Sequence, residues 1–376
     1  MLGQAKSGID RRAVHVALDR LARLFAETGA EALDLPFLYP AEELLDLYGE
    51  DLRTRAFVHG DAERGDEMCL RPDFTVPVAL HHRAGGWDRE AAYTYQGPVF
   101  RLQPSNADRP VEYLQAGIEQ FGDPQVAATD AAVFMTLRGG LEALGVADPV
   151  ATIGDLSIVL AVLDALDMPE HRRAALKRHL WRPARFQDLI RRACVQEAPS
   201  QERHQALHAA VEAREALIHA TGEVVGVRDV LDVSTRLDAL AERVRDPLMP
   251  EQDARLVADV LRVQGPASDA AGQIRELTQA VGVDIEKTLN RFDRRLLLLL
   301  EQGCPPESLT FDAGFGRTLE YYDGFVFEFR APGGGAHPPL AGGGRYTAMT
   351  VRMGAPAPVP AIGGIIRPEA VLEVLA

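Results

Sequence analysis

A chain of 376 residues, 47% of them hydrophobic and 25% charged, can bury a large core, and its length predicts two domains or one domain with a sizeable insertion. Its 40 basic residues against 55 acidic ones give a net charge of -15, which repels a polyanion unless a local basic patch overrides it, so tRNA binding is disfavoured. No apolar run reaches the roughly 18 residues of a membrane span, and Met1-Leu2-Gly3-Gln4-Ala5-Lys6 lacks the apolar stretch of a secretory signal, so the chain reads as cytoplasmic with no membrane partner.

In chain order, Val14, Leu18, Leu21 and Phe25 recur at helical spacing and predict an amphipathic helix over residues 10 to 28, capped by Asp10 and ended by Gly29. The segments around Leu33 to Phe37, Tyr93 to Arg101 and Glu112 to Phe121 are short, rich in aromatic or β-branched residues and bounded by Gly, Pro or Asp, which predicts strands. Cys69, Cys194 and Cys304 lack the paired spacing of a zinc site and read as buried thiols, with no metal expected. From about 160 to 300 Ala, Leu, Arg and Glu dominate and the apolar spacing turns helical, as in Leu207 to Leu217 and Leu231 to Val244. Strand character resumes at Leu309, and Asp323-Gly324 between Leu319 and Phe329 predicts a hairpin. Residues 1–160 and 301–376 are therefore expected to form one domain, with 161–300 as a helical insertion. Gly333-Gly334-Gly335 and Gly342-Gly343-Gly344 are not followed by Lys-Ser or Lys-Thr and read as turn or close-packing glycines rather than a phosphate loop.

In Glu112–Phe121, strand alternation puts Leu114, Ala116 and Ile118 on one face and Gln115, Gly117 and Glu119 on the other. The first face reads as core and the second as a polar site. The missing side chain at Gly117 would let a ligand lie on the backbone, Glu119 could accept a hydrogen bond from an imidazole N–H, and Gln115 could meet an α-amino group. By itself, a polar strand face turned to solvent explains the pattern as simply.

The neighbouring motifs favour the site. Leu70-Arg71-Pro72-Asp73-Phe74-Thr75, Gly97-Pro98-Val99-Phe100-Arg101 and Gln115-Ala116-Gly117-Ile118-Glu119 resemble, in order and spacing, the motif 2 region of histidyl-tRNA synthetases. Arg317-Thr318-Leu319-Glu320-Tyr321-Tyr322 is similar to the family's histidine-specific signature, and Ala341-Gly342-Gly343-Gly344-Arg345-Tyr346 with Ala361-Ile362-Gly363-Gly364 to its approach to motif 3. The resemblance implies an α+β class II synthetase fold, a six- to seven-stranded antiparallel sheet flanked by helices, and a homodimer through the motif 1 region, here the first helix and the strand ending near Pro36. It implies a pocket for L-histidine in which Asp73, Thr75 and Gln115 hold the α-amino group, Glu119 and Tyr322, with Tyr321 beside it, read the imidazole, and Arg101 and Arg317 face the carboxylate.

Other positions depart from the synthetase pattern. ATP carries about four negative charges that arginines and magnesium must offset, yet one family arginine is Val111, the adenine-side carboxylate is Gln103, and the motif 3 arginine is Ala370, with Arg367 three positions away. Phe74 stands where the family has Gly. Beyond motif 3 a synthetase continues into an anticodon-binding domain, whereas this sequence ends at Ala376. The combination resembles the regulatory subunits of ATP phosphoribosyltransferase. That family implies a non-catalytic role with no cofactor, a short catalytic subunit as partner in a hetero-octamer of four chains of each kind, activation of that partner, and feedback inhibition by histidine at the first step of histidine biosynthesis. A truncated amino-acid-activating enzyme and a stand-alone histidine sensor are the alternatives.

Overall fold

The computed structural model describes residues 11–48, 50–60, 65–103, 110–195, 246–316, 321–333 and 338–376. The chain divides into two compact units, the first made of residues 1–165 and 257–376 and the second of residues 166–256.

The first unit opens with the helix Arg11–Ala26, which buries Val14, Ala17, Leu18, Leu21 and Phe25. These positions lie three and four apart and so share one face. Gly29, at φ 77°, ends the turn that follows in a conformation glycine adopts without strain. Asp10, the expected cap, lies outside the described residues.

Twelve strands follow among the described residues: β1 (Glu31–Leu33), β2 (Leu38–Pro40), β3 (Val58–Gly60), β4 (Glu67–Leu70), β5 (Ala91–Phe100), β6 (Glu112–Phe121), β7 (Val150–Asp155), β8 (Gln264–Pro266), β9 (Leu309–Asp312), β10 (Phe325–Arg330), β11 (Ala341–Arg345) and β12 (Ala361–Ile366). They form a nine-stranded sheet in the order β1-β5-β6-β12-β11-β10-β7-β9-β8 and a three-stranded sheet in the order β2-β4-β3. From β5 across to β7 every pairing is antiparallel. The large sheet is wider than the six to seven strands expected, and it is mixed, because β1 runs parallel to β5 and β9 parallel to β7. Both parallel pairs join strands separated by long crossover connections, which parallel pairing requires.

Two local expectations are corrected. The strand expected over Leu33 to Phe37 stops at Leu33, because Pro36 offers no N–H and the carbonyls of Leu35 and Pro36 accept from Arg71 Nη1 at 2.6 and 3.1 Å. The hairpin at Asp323-Gly324 is absent on the described side: Tyr321 and Tyr322 are not in a strand. Both edges of β10 are already taken by β7 and β11, so no edge is left for a preceding arm. Asp323 instead accepts from the backbone N–H of Thr347, at 3.1 Å, and of Ala348 at the start of the helix Thr347–Arg352.

Gly342-Gly343-Gly344 are close-packing residues of β11. A Cβ at Gly343 would lie 2.7 Å from Gly364 Cα and 2.9 Å from Phe327 Cζ. Gly343→Ala is therefore expected to cost about 1–3 kcal/mol of unfolding free energy through overpacking, read from the midpoint of a urea melt; an unchanged midpoint would refute this tight approach of β11 to β12.

Behind the sheet, the helix Glu286–Glu301 packs on the helix Val126–Ala143. There Arg295 donates to Asp130 Oδ2 at 2.8 Å and to Asp155 Oδ2 at 2.9 Å, and Arg345 donates to Asp130 Oδ1 at 2.6 Å. The helices Ala267–Val281 and Glu286–Glu301 thus belong to the first unit, although composition placed them in the insertion; Leu289, Phe292, Leu296 and Leu299 are buried there.

In the second unit the helices Glu170–His179 and Pro183–Cys194 pack together. Asp246 receives His171 Nε2 at 2.6 Å and lies 3.6 Å from Arg172. The helical periods at Leu207 to Leu217 and Leu231 to Val244 lie outside the described residues. Cys69 and Cys304 are buried and Cys194 partly so, and all are free thiols; burial pushes the Cys69 thiol up to about 11. Among the described residues no helix is long and apolar enough to cross a membrane.

Candidate functional site

β6 lies between β5 and β12, so both of its edges are paired, and Gln115 through Glu119 are all buried, residues of both faces among them. The alternative of a polar face turned to solvent is therefore excluded, since Gln115, Gly117 and Glu119 are interior too. A charged group on this face must find partners within the fold or change its protonation.

Glu119 does both. Its Oε1 accepts from Thr75 Oγ1 at 3.0 Å and from the Tyr95 hydroxyl at 2.9 Å, and its Oε2 accepts from the Tyr346 hydroxyl at 2.6 Å. Its side of Gly363 is closed as well, since a Cβ at Gly363 would overlap Oε2. Burial pushes the carboxyl up to about 7, against the three hydroxyl donors, which lower it. The space over Gly117 is not open backbone, because a Cβ there would lie 2.5 Å from the Gly364 carbonyl oxygen and 2.6 Å from the Tyr95 hydroxyl. The glycine makes room for Tyr95, which reaches Glu119.

The start of the helix Thr75–Ala84 supplies the next group. Asp73 Oδ1 accepts from Thr75 N at 3.1 Å and from the Tyr48 hydroxyl. Its Oδ2 is buried with no hydrogen-bond partner among the described residues, and Arg101 Nη2 stands 3.8 Å away in an ionic contact. Burial raises the Asp73 carboxyl and Arg101 opposes that shift. Arg101 Nη2 also donates to the Pro72 carbonyl at 2.9 Å, while among the described residues its Nε has no partner, and neither has the buried Gln115 Oε1. Tyr321 packs edge-on against Tyr48, Tyr322 and Tyr346, with ring centroids 6.3, 4.6 and 6.2 Å away. Tyr322 feels the charges of Glu119 and Asp73.

Asp73, Thr75, Arg101 and Glu119 thus meet in one buried neighbourhood, with Tyr321 and Tyr322 against its wall and Gln115 two residues along β6 from Gly117. Arg317 lies outside the described residues. Sequence reasoning missed Tyr48, Tyr95 and Tyr346, whose hydroxyls hold the two carboxylates. Tyr346 ends a motif already noted and Tyr95 stands two residues before Gly97, but Tyr48 has no local signal. Phe74 does not project as idle bulk: it stacks on Tyr95 at 4.3 Å with the planes 15° apart, and the Arg71 guanidinium lies 4.1 Å over its ring.

Adjoining Arg101 is a cleft of about 170 Å³ lined in part by Arg55, Gln103, Tyr113, Arg367, Glu369 and Ala370. The Arg55 guanidinium is engaged by Gln103 Oε1 at 2.8 Å and Arg367 Nη1 by the Pro339 carbonyl at 2.8 Å. Glu369 Oε2 accepts from Leu114 N at 3.0 Å. This wall presents carboxylates beside its arginines and a methyl group at Ala370.

A nine-stranded sheet with this six-strand antiparallel centre, bearing Glu119 on β6 with Asp73 and Arg101 gathered beside it, defines a histidyl-tRNA synthetase-like class II domain. The sequence profile described as histidyl-tRNA synthetase matches residues 9–267 and 249–371. Solved structures share the fold: one described as an ATP phosphoribosyltransferase regulatory subunit/histidyl-tRNA synthetase from Bacillus halodurans, at TM-score 0.68 and 20% identity over 100% of this chain and 84% of that one, and a histidine–tRNA ligase subunit from Alicyclobacillus acidocaldarius, at TM-score 0.61 and 23% identity over 100% and 97%. Within this class the chain belongs to the family of ATP phosphoribosyltransferase regulatory subunits. It is 32% identical to the protein of that name from Agrobacterium fabrum, over 90% of this chain and 91% of the relative, and 32% identical to the one from Mesorhizobium japonicum, over 91% and 93%.

Proposed function

We propose that this chain is a non-catalytic, cytoplasmic regulatory subunit that activates a short ATP phosphoribosyltransferase catalytic chain and carries histidine feedback to it at the first step of histidine biosynthesis. The assembly is a hetero-octamer, four chains of each kind, with this chain dimerising through its motif 1 region. Residues 1–165 and 257–376 carry the synthetase-like site and residues 166–256 are the inserted segment.

The observation that supports histidine as the ligand is a set of buried atoms left unsatisfied among the described residues. Asp73 Oδ2 and Gln115 Oε1 are acceptors, and Arg101 Nε is a donor. Buried polar atoms without partners are costly, and a zwitterion answers them in kind, with its ammonium toward the acceptors and its carboxylate toward Arg101 and Arg317. Glu119 and Tyr322 then face the side chain, where the imidazole is read. Against an amino-acid-activating role stand Ala370, Glu369 and Gln103, which add none of the positive charge that adenylyl transfer from ATP, with pyrophosphate as the leaving group, requires.

The test mixes the full chain with the short catalytic chain. A large complex on a sizing column and a raised transferase turnover, lowered again by L-histidine, are expected. Histidine-dependent ATP–pyrophosphate exchange by this chain alone should stay at background. No complex, with catalysis by the short chain unchanged, defeats the regulatory reading, and exchange clearly above background restores the synthetase one.

A further inference from the structure

We infer that Arg71, Phe74 and Tyr95 form a column that couples occupancy of the Glu119 pocket to the surface segment Leu35–Leu38, so that the state of one is set by the state of the other. The inference rests on the reading of that pocket as a histidine site and names how the site would be regulated.

The column is continuous. At its inner end the Tyr95 hydroxyl donates to Glu119 Oε1 at 2.9 Å. The Phe74 ring lies flat on Tyr95 at 4.3 Å, and the Arg71 guanidinium lies over Phe74 at 4.1 Å and over Phe37 at 4.6 Å. Arg71 is 2% exposed. Its guanidinium reaches three carbonyls, Leu35 at 2.6 Å, Pro36 at 3.1 Å and Pro98 at 2.9 Å, and its backbone N–H donates to Phe37 O at 2.8 Å. At the outer end Phe37 and Leu38 are each 52% exposed.

Space for the column is built into β5. Gly97, at φ 149°, faces Arg71, and a Cβ there would lie 2.8 Å from Arg71 Nη2. A packed stack joined by directional hydrogen bonds at both ends transmits a displacement rather than absorbing it. Glu119 already holds three hydroxyl donors and is closed by Gly363. A ligand N–H that bonds to Glu119 must therefore move one of those donors. Of these, Tyr95 is the one that leads outward through Phe74 and Arg71 to the Leu35 and Pro36 carbonyls. By reciprocity, whatever covers Leu35–Leu38 changes histidine affinity by the same factor that histidine changes the segment's cover.

Backbone hydrogen exchange over residues 34–40, measured on the full chain with and without saturating L-histidine, tests the column, and calorimetry on the same samples establishes saturation. Histidine should slow exchange across this segment in the wild type by about fivefold or more, the lower end of ordinary coupling. Phe74→Leu, which removes the stack, and Tyr95→Phe, which keeps the ring but removes the hydroxyl on Glu119, should each abolish the slowing at saturating histidine. Tyr95→Phe is close to isosteric, so the test does not depend on Phe74→Leu folding. Wild-type protein that binds histidine without any change over 34–40 overturns the coupling and leaves the pocket reading intact. Slowing that persists in Tyr95→Phe shows that the signal travels by another route and overturns the column. Wild-type protein that binds no histidine removes the pocket reading and the column with it.

Discussion

Replacing Arg295 by methionine is expected to lower the unfolding free energy by about 3–5 kcal/mol, the cost of breaking a buried ion pair from one side. The guanidinium is 1% exposed and sits between Asp130 and Asp155, whose side chains have no exposure at all. It also lies 4.4 Å over the Phe325 ring. Arg345, 2.6 Å from Asp130 Oδ1 in the wild type, should still answer that oxygen in the variant, but Asp130 Oδ2 and Asp155 Oδ2 lose their donors and a negative charge is left over inside the fold. The four groups come from the helices Val126–Ala143 and Glu286–Glu301 and from β7 and β11, so the loss loosens the joint between the sheet and its covering helices. Urea melts of the wild type and the variant give the difference, with Arg275→Met as control. Arg275 pairs with Glu286 and Asp293 at 2.8 and 2.6 Å, but those partners are 50% and 43% exposed, so its loss should cost no more than about 1 kcal/mol. Equal effects of the two substitutions would contradict the burial of the Arg295 network.

The parts of this fold legible in the sequence are those whose determinants are local or motif-bound. β6 begins and ends where Glu112–Phe121 was expected to, because alternation and flanking turn residues define a strand without reference to its neighbours. The opening helix was legible for the same reason. The motifs also brought Asp73, Thr75, Arg101 and Glu119 to one place. What satisfies those carboxylates was not legible, since Tyr48 reaches Asp73 across 25 positions and Tyr346 reaches Glu119 across 227. The openness read into Gly117 failed for a similar reason: only the pairing of Tyr95 with Gly117 shows that a tyrosine fills the gap. Asp323-Gly324 carries a true local turn signal, but the neighbours of β10 decide whether an arm can pair there. The extent of the insertion was misjudged because helical periodicity is the same whether a helix packs on a sheet or on another helix, and the burial of Leu289, Phe292 and Leu296 in the first unit is a tertiary fact.

Glu119→Gln is expected to move histidine affinity and stability in opposite directions. The carboxyl is fully buried and pushed up to about 7 from an ordinary value of 4.5, with burial as the main cause. A carboxyl whose folded value lies above its unfolded one stabilises the fold in its neutral form. That contribution is complete below pH 4.5 and is lost as the pH rises through about 7. At about 1.36 kcal/mol per unit, the loss amounts to about 3 kcal/mol. Glutamine is a neutral group of the same shape whose amide the Thr75, Tyr95 and Tyr346 hydroxyls can meet, so it carries no such penalty at any pH. The variant should therefore gain on the wild type steadily between pH 5 and pH 8 in parallel urea melts, and titration of other groups cancels in the difference. Histidine binding should change the other way: without a charged acceptor for the imidazole N–H, affinity should fall by about 1–3 kcal/mol by calorimetry at pH 8. A difference in stability that stays flat with pH would mean that Glu119 does not titrate in this window. Equal affinity in the two proteins would mean that histidine is not read by Glu119. If both outcomes hold as expected, the carboxylate is kept in the interior at a cost to the fold, and recognition of the imidazole is the reason for keeping it there.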